Sequence, residues 1–377
     1  MQISFHKTHT TDEEINAATD AMRSGWLTMG PKTVEFEKEF RTYIGSSEAV
    51  SVNSATAALH LALKAIGLNR DDEVIVPTNT FVATAEVVTY FDAIPVLCDI
   101  EENTHNIDIL KIEALITSKT KAIIPVHFAG QPCDMDEIYT IAKKYNLKVI
   151  EDAAHAIPSS YKGVKIGNLK GSDITCFSFY ATKTLSTGEG GMATTSNAIY
   201  AKNMRINRLH GISRDAWDRY TTKGAWYYEI VDNGCKYNTT DINAAIGIVQ
   251  LKKQNELKQK RDRIAQKYTE SFKNNNNIVL PFVKNDRQTS WHLYVVKIMN
   301  RDEVIEKLKD EGIGCSVHFI PIHKHPYYKQ RYNYKDEDYP VANKVFESSL
   351  SLPIYPDMSD EEIKFVIEKV NDIVNDV

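Results

Sequence analysis

The sequence predicts an α/β layered protein completed by a smaller α+β part. Three observations carry that expectation. Short Val- and Ile-rich runs, apolar on both faces, recur through the first half of the chain. Amphipathic stretches separate them at intervals of about 20–30 residues, the spacing of strand–helix units. After about residue 240 the alternation gives way to a long helical pattern and then to short mixed elements. Runs without polar alternation suit strands covered on both sides, so the sheet should be mostly parallel.

Taken in order, Thr11 followed by Glu14 is a capping box and opens the first helix. The expected strands of the first half are Ala49–Asn53, Val74–Pro77, Ile94–Ile100, Lys121–Phe128, Lys148–Ala153, Ile174–Tyr180 and Gly191–Thr195. Between them Ala55–Ile66, Phe81–Tyr90, Asp108–Ile116 and Met135–Tyr145 read as helices. Asp241–Lys273 reads as one or two long helices, and Asn274–Asn277 as a polar turn. A strand over Trp291–Ile298, a helix over Asp302–Asp310 and a strand over Cys315–Ile320 follow. Ser359 with Glu362 caps the last helix. The boundary is set near residue 250, giving a large domain over 1–250 and a small one over 251–377. The basic run Lys252–Arg263 is interleaved with Glu256 and Asp262, so it reads as a solvated helix face.

Composition narrows the class. The 377 residues are 42% hydrophobic and 25% charged, enough apolar surface for full cores, which excludes global disorder. Lys+Arg 45 against Asp+Glu 50 gives a net charge of −5, without the basic footprint of nucleic-acid or anionic-membrane binders. The five cysteines are scattered and form no C-x-x-C pair, so neither a zinc ribbon nor a disulfide framework is expected. With no apolar leader and no 18-residue apolar run, the expectation is a soluble cytoplasmic protein. The dinucleotide fingerprint G-x-G-x-x-G, the P-loop, G-x-S-x-G and H-E-x-x-H are all missing.

Three segments carry unusual chemistry. Asn53-Ser54-Ala55-Thr56 ends a strand and opens a helix, offering free N–H groups and hydroxyls to an anion, although a plain N-cap by Asn53 or Ser54 reads the same way. Lys148–Asp152 delivers two carboxylates at a strand's C-terminal end, where α/β folds bind ligands. Strand alternation sends Glu151 and Asp152 to opposite sides, so one of them faces a site; there it would hold a metal, a ribose or a protonated ring nitrogen, unless it is a capping or structural carboxylate. The third segment, Phe177-Ser178-Phe179-Tyr180-Ala181-Thr182-Lys183, runs into the turn Thr187-Gly188-Glu189-Gly190-Gly191. A lysine among apolar and hydroxyl neighbours loses its proton by desolvation and becomes a nucleophile, whereas a lysine in a surface loop does not.

These segments, with Gly25–Pro31, Thr80–Ala85, Glu151–His155, Lys236-Tyr237-Asn238, Trp291–Tyr294 and Val317–Tyr328, resemble the DegT/DnrJ/EryC1/StrS aminotransferases over nearly the whole chain. That family uses pyridoxal 5′-phosphate (PLP) to aminate keto sugars. The resemblance implies a three-layer α/β/α large domain of PLP fold type I with the smaller α+β domain behind it. It implies that Lys183 is the Schiff-base lysine and Asp152 the partner of the pyridine nitrogen. Phe81 would stack on the ring, His155 would lie near it, and Ala55, Thr56 and Ser178 would hold the phosphate. Asn238 would come from a second subunit, so a homodimer with shared sites is implied. Thr28, Met29, Gly30, Tyr180, His318 and His323 would line the acceptor pocket. Trp291 and His292 read as packing at the domain junction.

His318, His323 and His325 resemble a metal triplet, but no carboxylate or cysteine lies beside them and the resemblance puts this stretch at the substrate mouth, so no metal is expected. Within the family, Asp215–Arg219 followed by Lys236–Asn238 is similar to the UDP-4-amino-4-deoxy-arabinose enzymes, which implies 4-amination of a nucleotide-linked sugar with L-glutamate as donor, for a surface polysaccharide or glycan. A keto-cyclitol or small phosphorylated ketone is the alternative acceptor; a non-catalytic sensor would be expected to lack Lys183. Thr184, Ser186 and Tyr180 stand where many relatives carry Asn, Thr and His, which bears on acceptor choice.

Overall fold

The computed structural model describes residues 1–213 and 227–376; the Asp215–Arg219 segment lies outside them. In chain order the elements are α1 (Asp12–Arg23), α2 (Pro31–Ile44), β1 (Glu48–Val52), α3 (Ala55–Ala65), β2 (Glu73–Pro77), α4 (Val82–Thr89) and β3 (Ile94–Cys98). Then come α5 (Ile109–Ile112), β4 (Thr120–Ile123), α6 (Met135–Tyr145), β5 (Lys148–Asp152), β6 (Ser160–Tyr161), β7 (Val164–Lys165), β8 (Ile174–Ser178), β9 (Gly191–Thr195) and α7 (Ala198–Asn207). The rest are α8 (Asp241–Phe272), β10 (Ile278–Val279), β11 (Arg287–Gln288), β12 (Tyr294–Ile298), α9 (Arg301–Asp310), α10 (Pro326–Tyr332), α11 (Pro340–Ser348), β13 (Ser349–Leu352) and α12 (Asp360–Asp376).

The central sheet has the order β1-β9-β8-β5-β4-β2-β3. Its pairs are parallel except at β9, which runs against both β8 and β1. The chain between β8 and β9 doubles back as a loop instead of crossing over through a helix, so β9 must reverse. Side chains alternate across the sheet: on β2, Val74 and Val76 join Leu59, Val87 and Met204 in one apolar layer, while Ile75 joins Phe40, Ile138 and Ile248 in the other. Helices therefore cover both faces, which makes three layers.

Helix α8 runs unbroken through residue 250. Its first half lies so close to α2 that a Cβ on Gly247 would meet the Phe36 ring at 2.6 Å. Its second half gives Ile264, Tyr268 and Phe272 to a third cluster with Tyr294, Val296, Leu350 and Val366, and Ile3 joins them. The capping box at Thr11 forms, and the buried Glu14 also accepts from Lys253 Nζ and Gln250 Nε2. These donors outweigh burial and draw its carboxyl down to about 2.

Three sequence expectations change. Cys315–Ile320 is not a strand: it keeps one bridge, Ser316 to Ser351, because Phe319 N–H turns to the Asn79 side chain. The strand expected to reach Phe128 stops at Ile123, and the chain turns at His127–Gly130 after Pro125. Within the basic run, Lys258 and Lys260 pair with Asp262 and Glu256 on α8, but Arg261 is 2% exposed and donates to the carbonyls of Trp291 and Ile354. Among the described residues no helix is long and apolar enough to cross a membrane.

Candidate active site

A cavity of about 520 Å³ opens where β5 and β8 end and α3 begins. Open α/β sheets bind ligands at this edge. Ala55, Thr56, Phe81, Asp152, His155, Ser178, Tyr180, Lys183 and His318 meet there, from five stretches of chain.

One wall is the start of α3. Ser54 caps it by accepting from Ala57 N–H, and helix geometry leaves the first N–H groups without intrahelical acceptors. The hydroxyls of Ser54, Thr56 and Ser178 share this wall, giving neutral donors around a partial positive charge, suited to an anion. Gly191 is required behind it: a Cβ there would sit 2.5 Å from the Ser54 carbonyl and 2.8 Å from Ala55 N.

The two carboxylates on β5 part company. Glu151 turns away from the cavity and accepts from His127 Nε2 at 2.8 Å, Tyr139 OH at 3.2 Å and Thr175 Oγ1 at 3.2 Å. Asp152 faces the cavity, accepting from Thr84 Oγ1 at 2.8 Å and Ala154 N–H at 3.1 Å. Burial pushes its carboxyl up despite those donors and the Lys183 charge. A cation brought against Asp152 would oppose that rise and favour the ionised form.

Lys183 sits on a tight turn in which its N–H donates to the Tyr180 carbonyl. The turn is pinned by Gln254 donating to the Thr184 carbonyl, by Thr184 donating to the Ile157 carbonyl, and by Asn243 donating to the carbonyls of Thr187 and Glu189. Burial lowers the amine to about 8, opposed by the Asp152 charge. A neutral amine is therefore accessible near neutral pH, as a nucleophile or a general base requires.

His155 and His292 rings lie 4.3 Å apart, both hold buried Nδ1 atoms without a hydrogen-bond partner, and burial keeps both neutral. Phe319 stacks on His155 at 5.9 Å and lies the same distance from Phe81, which is 58% exposed at the mouth.

Other expected residues lie elsewhere. His323 is fully buried between Thr78 Oγ1 at 2.7 Å and Asn343 Oδ1 at 3.0 Å, so it bridges two segments and does not reach the cavity. His318 bonds Ser351 Oγ and His325 the Ile320 carbonyl, so the three imidazoles face three different partners. The Thr28–Gly30 turn is tied to the start of α8, where Asp241 N–H donates to the Thr28 carbonyl and the Asp241 carboxylate accepts from Gly30 N–H. Neither that turn, Met29 included, nor Asn238 lines the cavity of its own chain. Conversely His292, read as packing, lines it; so do Glu189 and Phe319, which lie in the noted motifs without an assigned role, and Phe5 and His6, which no local motif announced.

Residues 8–371 match the model of the DegT/DnrJ/EryC1/StrS aminotransferase family. The chain is 49% identical to the spore coat polysaccharide biosynthesis protein SpsC of Bacillus subtilis, over 96% of this chain and 94% of that one. It is 37% identical to the UDP-4-amino-4-deoxy-L-arabinose–oxoglutarate aminotransferase of Shewanella sediminis, over 96% of each. Spr1654 of Streptococcus pneumoniae, described as a sugar aminotransferase and solved in its PMP form, superposes with a TM-score of 0.93 at 35% identity over the full length of both chains; its PLP form superposes equally well.

Proposed function

The chain belongs to the DegT/DnrJ/EryC1/StrS family and is a PLP-dependent sugar aminotransferase; from that premise we propose that it moves the amino group of L-glutamate to the 4-keto carbon of a nucleotide-linked sugar. The observation that carries the reading is the pairing, in one cavity, of Lys183 lowered to about 8 with the buried Asp152. The amino-arabinose relative, matched over nearly its whole length, supports the choice of donor and acceptor.

The donor set fits the cofactor. Asp152 is a buried carboxylate that has two neutral donors and awaits a cation, which suits a protonated ring nitrogen. The α3 start with Ala55, Thr56 and Ser178 suits a phosphate. Phe81 and His155 offer rings to its plane. PLP supplies an electron sink for the pair left when a proton leaves the carbon bearing the amino group. Asp152 keeps the ring nitrogen protonated. Lys183 Nζ takes the proton from the donor's α-carbon and returns a proton on the acceptor side, which arginine, always charged, would not do.

A homodimer completes the reading. Asn238 and the Thr28–Gly30 turn, away from their own chain's cavity, are in this reading supplied by a second copy. Mixing Lys183→Ala with Asn238→Ala chains should then restore about a quarter of wild-type activity through hybrid dimers with one intact site; no recovery removes the shared site. The acceptor is tested with ¹⁵N-glutamate and a panel of UDP-, dTDP- and GDP-linked keto sugars. Expected is ¹⁵N at C4 of one of them with 2-oxoglutarate released. Turnover of a keto-cyclitol or small phosphorylated ketone, with none of the panel aminated, overturns it.

A further inference from the structure

The first nine residues bear on the cavity in a way their sequence does not suggest. Ile3 pairs with the C-terminal lobe, its N–H donating to the Gly312 carbonyl and its own carbonyl accepting from Gly314 N–H, each at 2.8 Å. Both glycines make room: a Cβ on Gly312 would lie 2.4 Å from the Met1 carbonyl, and one on Gly314 2.7 Å from Phe5 N. Phe5 stacks on His318 at 5.5 Å, and both line the cavity. His9 bonds the Asp357 carboxylate at 2.7 Å, while its carbonyl accepts from Gln250 Nε2 on α8.

Between these anchors the segment crosses the Lys183 turn. His6 Nε2 lies 3.1 Å from the Ala181 carbonyl oxygen, and Thr8 Oγ1 donates to the same oxygen at 2.7 Å. A carbonyl only accepts, so His6 carries its proton on Nε2, and both lone pairs of one oxygen are taken. Ala181 stands two residues before Lys183. Gln254 and Ile157 fix the turn just after the lysine, and the two N-terminal side chains fix it just before. Burial lowers the His6 imidazole to about 4, so it stays neutral and keeps this tautomer above that pH.

We propose that residues 3–9 are a strap tying the C-terminal lobe to the nucleophile turn, and that His6 and Thr8 are positioning residues for Lys183, acting through the Ala181 carbonyl. A carbonyl doubly held from a distant part of the chain sets the direction of the backbone entering Lys183. Loss of one donor lets the turn relax and admits water beside the amine.

The test uses the holoenzyme. Thr8→Val keeps the shape and removes the hydroxyl; His6→Phe keeps the ring and removes Nε2–H; Thr8→Ser keeps the donor. Expected for Thr8→Val and for His6→Phe is a fall of about tenfold in the rate constant of the donor half-reaction, with the half-saturating glutamate concentration unchanged within about twofold. The pH midpoint of the bound cofactor's visible absorbance should move by about half a unit or more. Thr8→Ser should match wild type in both. The absorbance titration uses no substrate, so it stands even if the glutamate and nucleotide-sugar reading fails. If both variants keep the wild-type midpoint and rate, or lose only melting temperature, the strap is purely structural and the proposal falls. It falls too if Thr8→Ser loses as much as Thr8→Val.

Discussion

At the floor of the cavity Asp152 is 6% exposed with two donors on its oxygens, and the Lys183 turn is bonded from α8, from the Ile157 segment and from the N-terminus. At the rim, Tyr180 is 48% exposed, and Glu189 is exposed as well. The floor is over-determined: each reacting group is fixed by bonds from segments far apart in sequence. The rim is anchored through its backbone, with side chains left to solvent. Chemistry shared across a family needs the first kind of construction, because a misplaced amine or carboxylate costs rate. Choice among acceptors needs the second, because side chains there can change without disturbing the floor.

Breaking the floor should produce the largest effects. Lys183→Ala should lower turnover by about 10⁴-fold, since nucleophile and proton carrier go together. Asp152→Ala should cost about 10²–10³-fold with little change in melting temperature. Glu151→Gln, one residue away on the same strand, should do the reverse. It disturbs a buried acceptor of three donors, so about 1–3 kcal/mol of stability should go while turnover per folded enzyme holds. Steady-state kinetics beside thermal melts separate the two outcomes, and equal behaviour at 151 and 152 would erase the distinction between site and scaffold. The pH dependence follows from the same burial. Burial disfavours the ammonium form, so the Lys183 amine is free above about pH 8 and protonated below it. Capture of PLP by the apoprotein, followed by absorbance, should rise with pH and be half-maximal near pH 8; a midpoint near that of an ordinary lysine would mean that the turn is open to water.

The floor was also the legible part. The α3 start, Asp152 and Lys183 each sit where a strand meets a turn; the local patterns draw attention to them but leave a plain cap or a structural carboxylate open, alternation on β5 separates Glu151 from Asp152, and the family resemblance picks the residues. What escaped came from distance or from reversed local logic. Nothing in the first ten residues hints that His6 and Thr8 reach Ala181, some 170 positions away. His292 looked like packing because its neighbours Trp291 and Tyr294 do pack in the C-terminal cluster. Cys315–Ile320 has a strand's composition, yet its polar backbone groups go to side chains and to one bridge. Arg261 sat in a charged run and proved buried, because Trp291 and Ile354 present carbonyls at that spot on α8.

The rim should show smaller and more selective effects, and Tyr180 is the place to look. Its backbone carbonyl anchors Lys183 N–H, so exchange of the side chain leaves the turn intact. Its ring stands at the mouth and is 48% exposed. Tyr180→His should change the ratio of kcat/KM between two competing acceptors by about tenfold, the scale of one gained or lost polar contact. The donor half-reaction should stay within about twofold, because in the proposed reading the donor's chemistry depends on the floor. Measuring both on the same preparation makes the comparison strict. A loss shared equally by donor and acceptor would place Tyr180 with the floor, where its backbone already belongs. A change confined to the acceptor would assign selectivity to a side chain that the fold holds by its main chain alone.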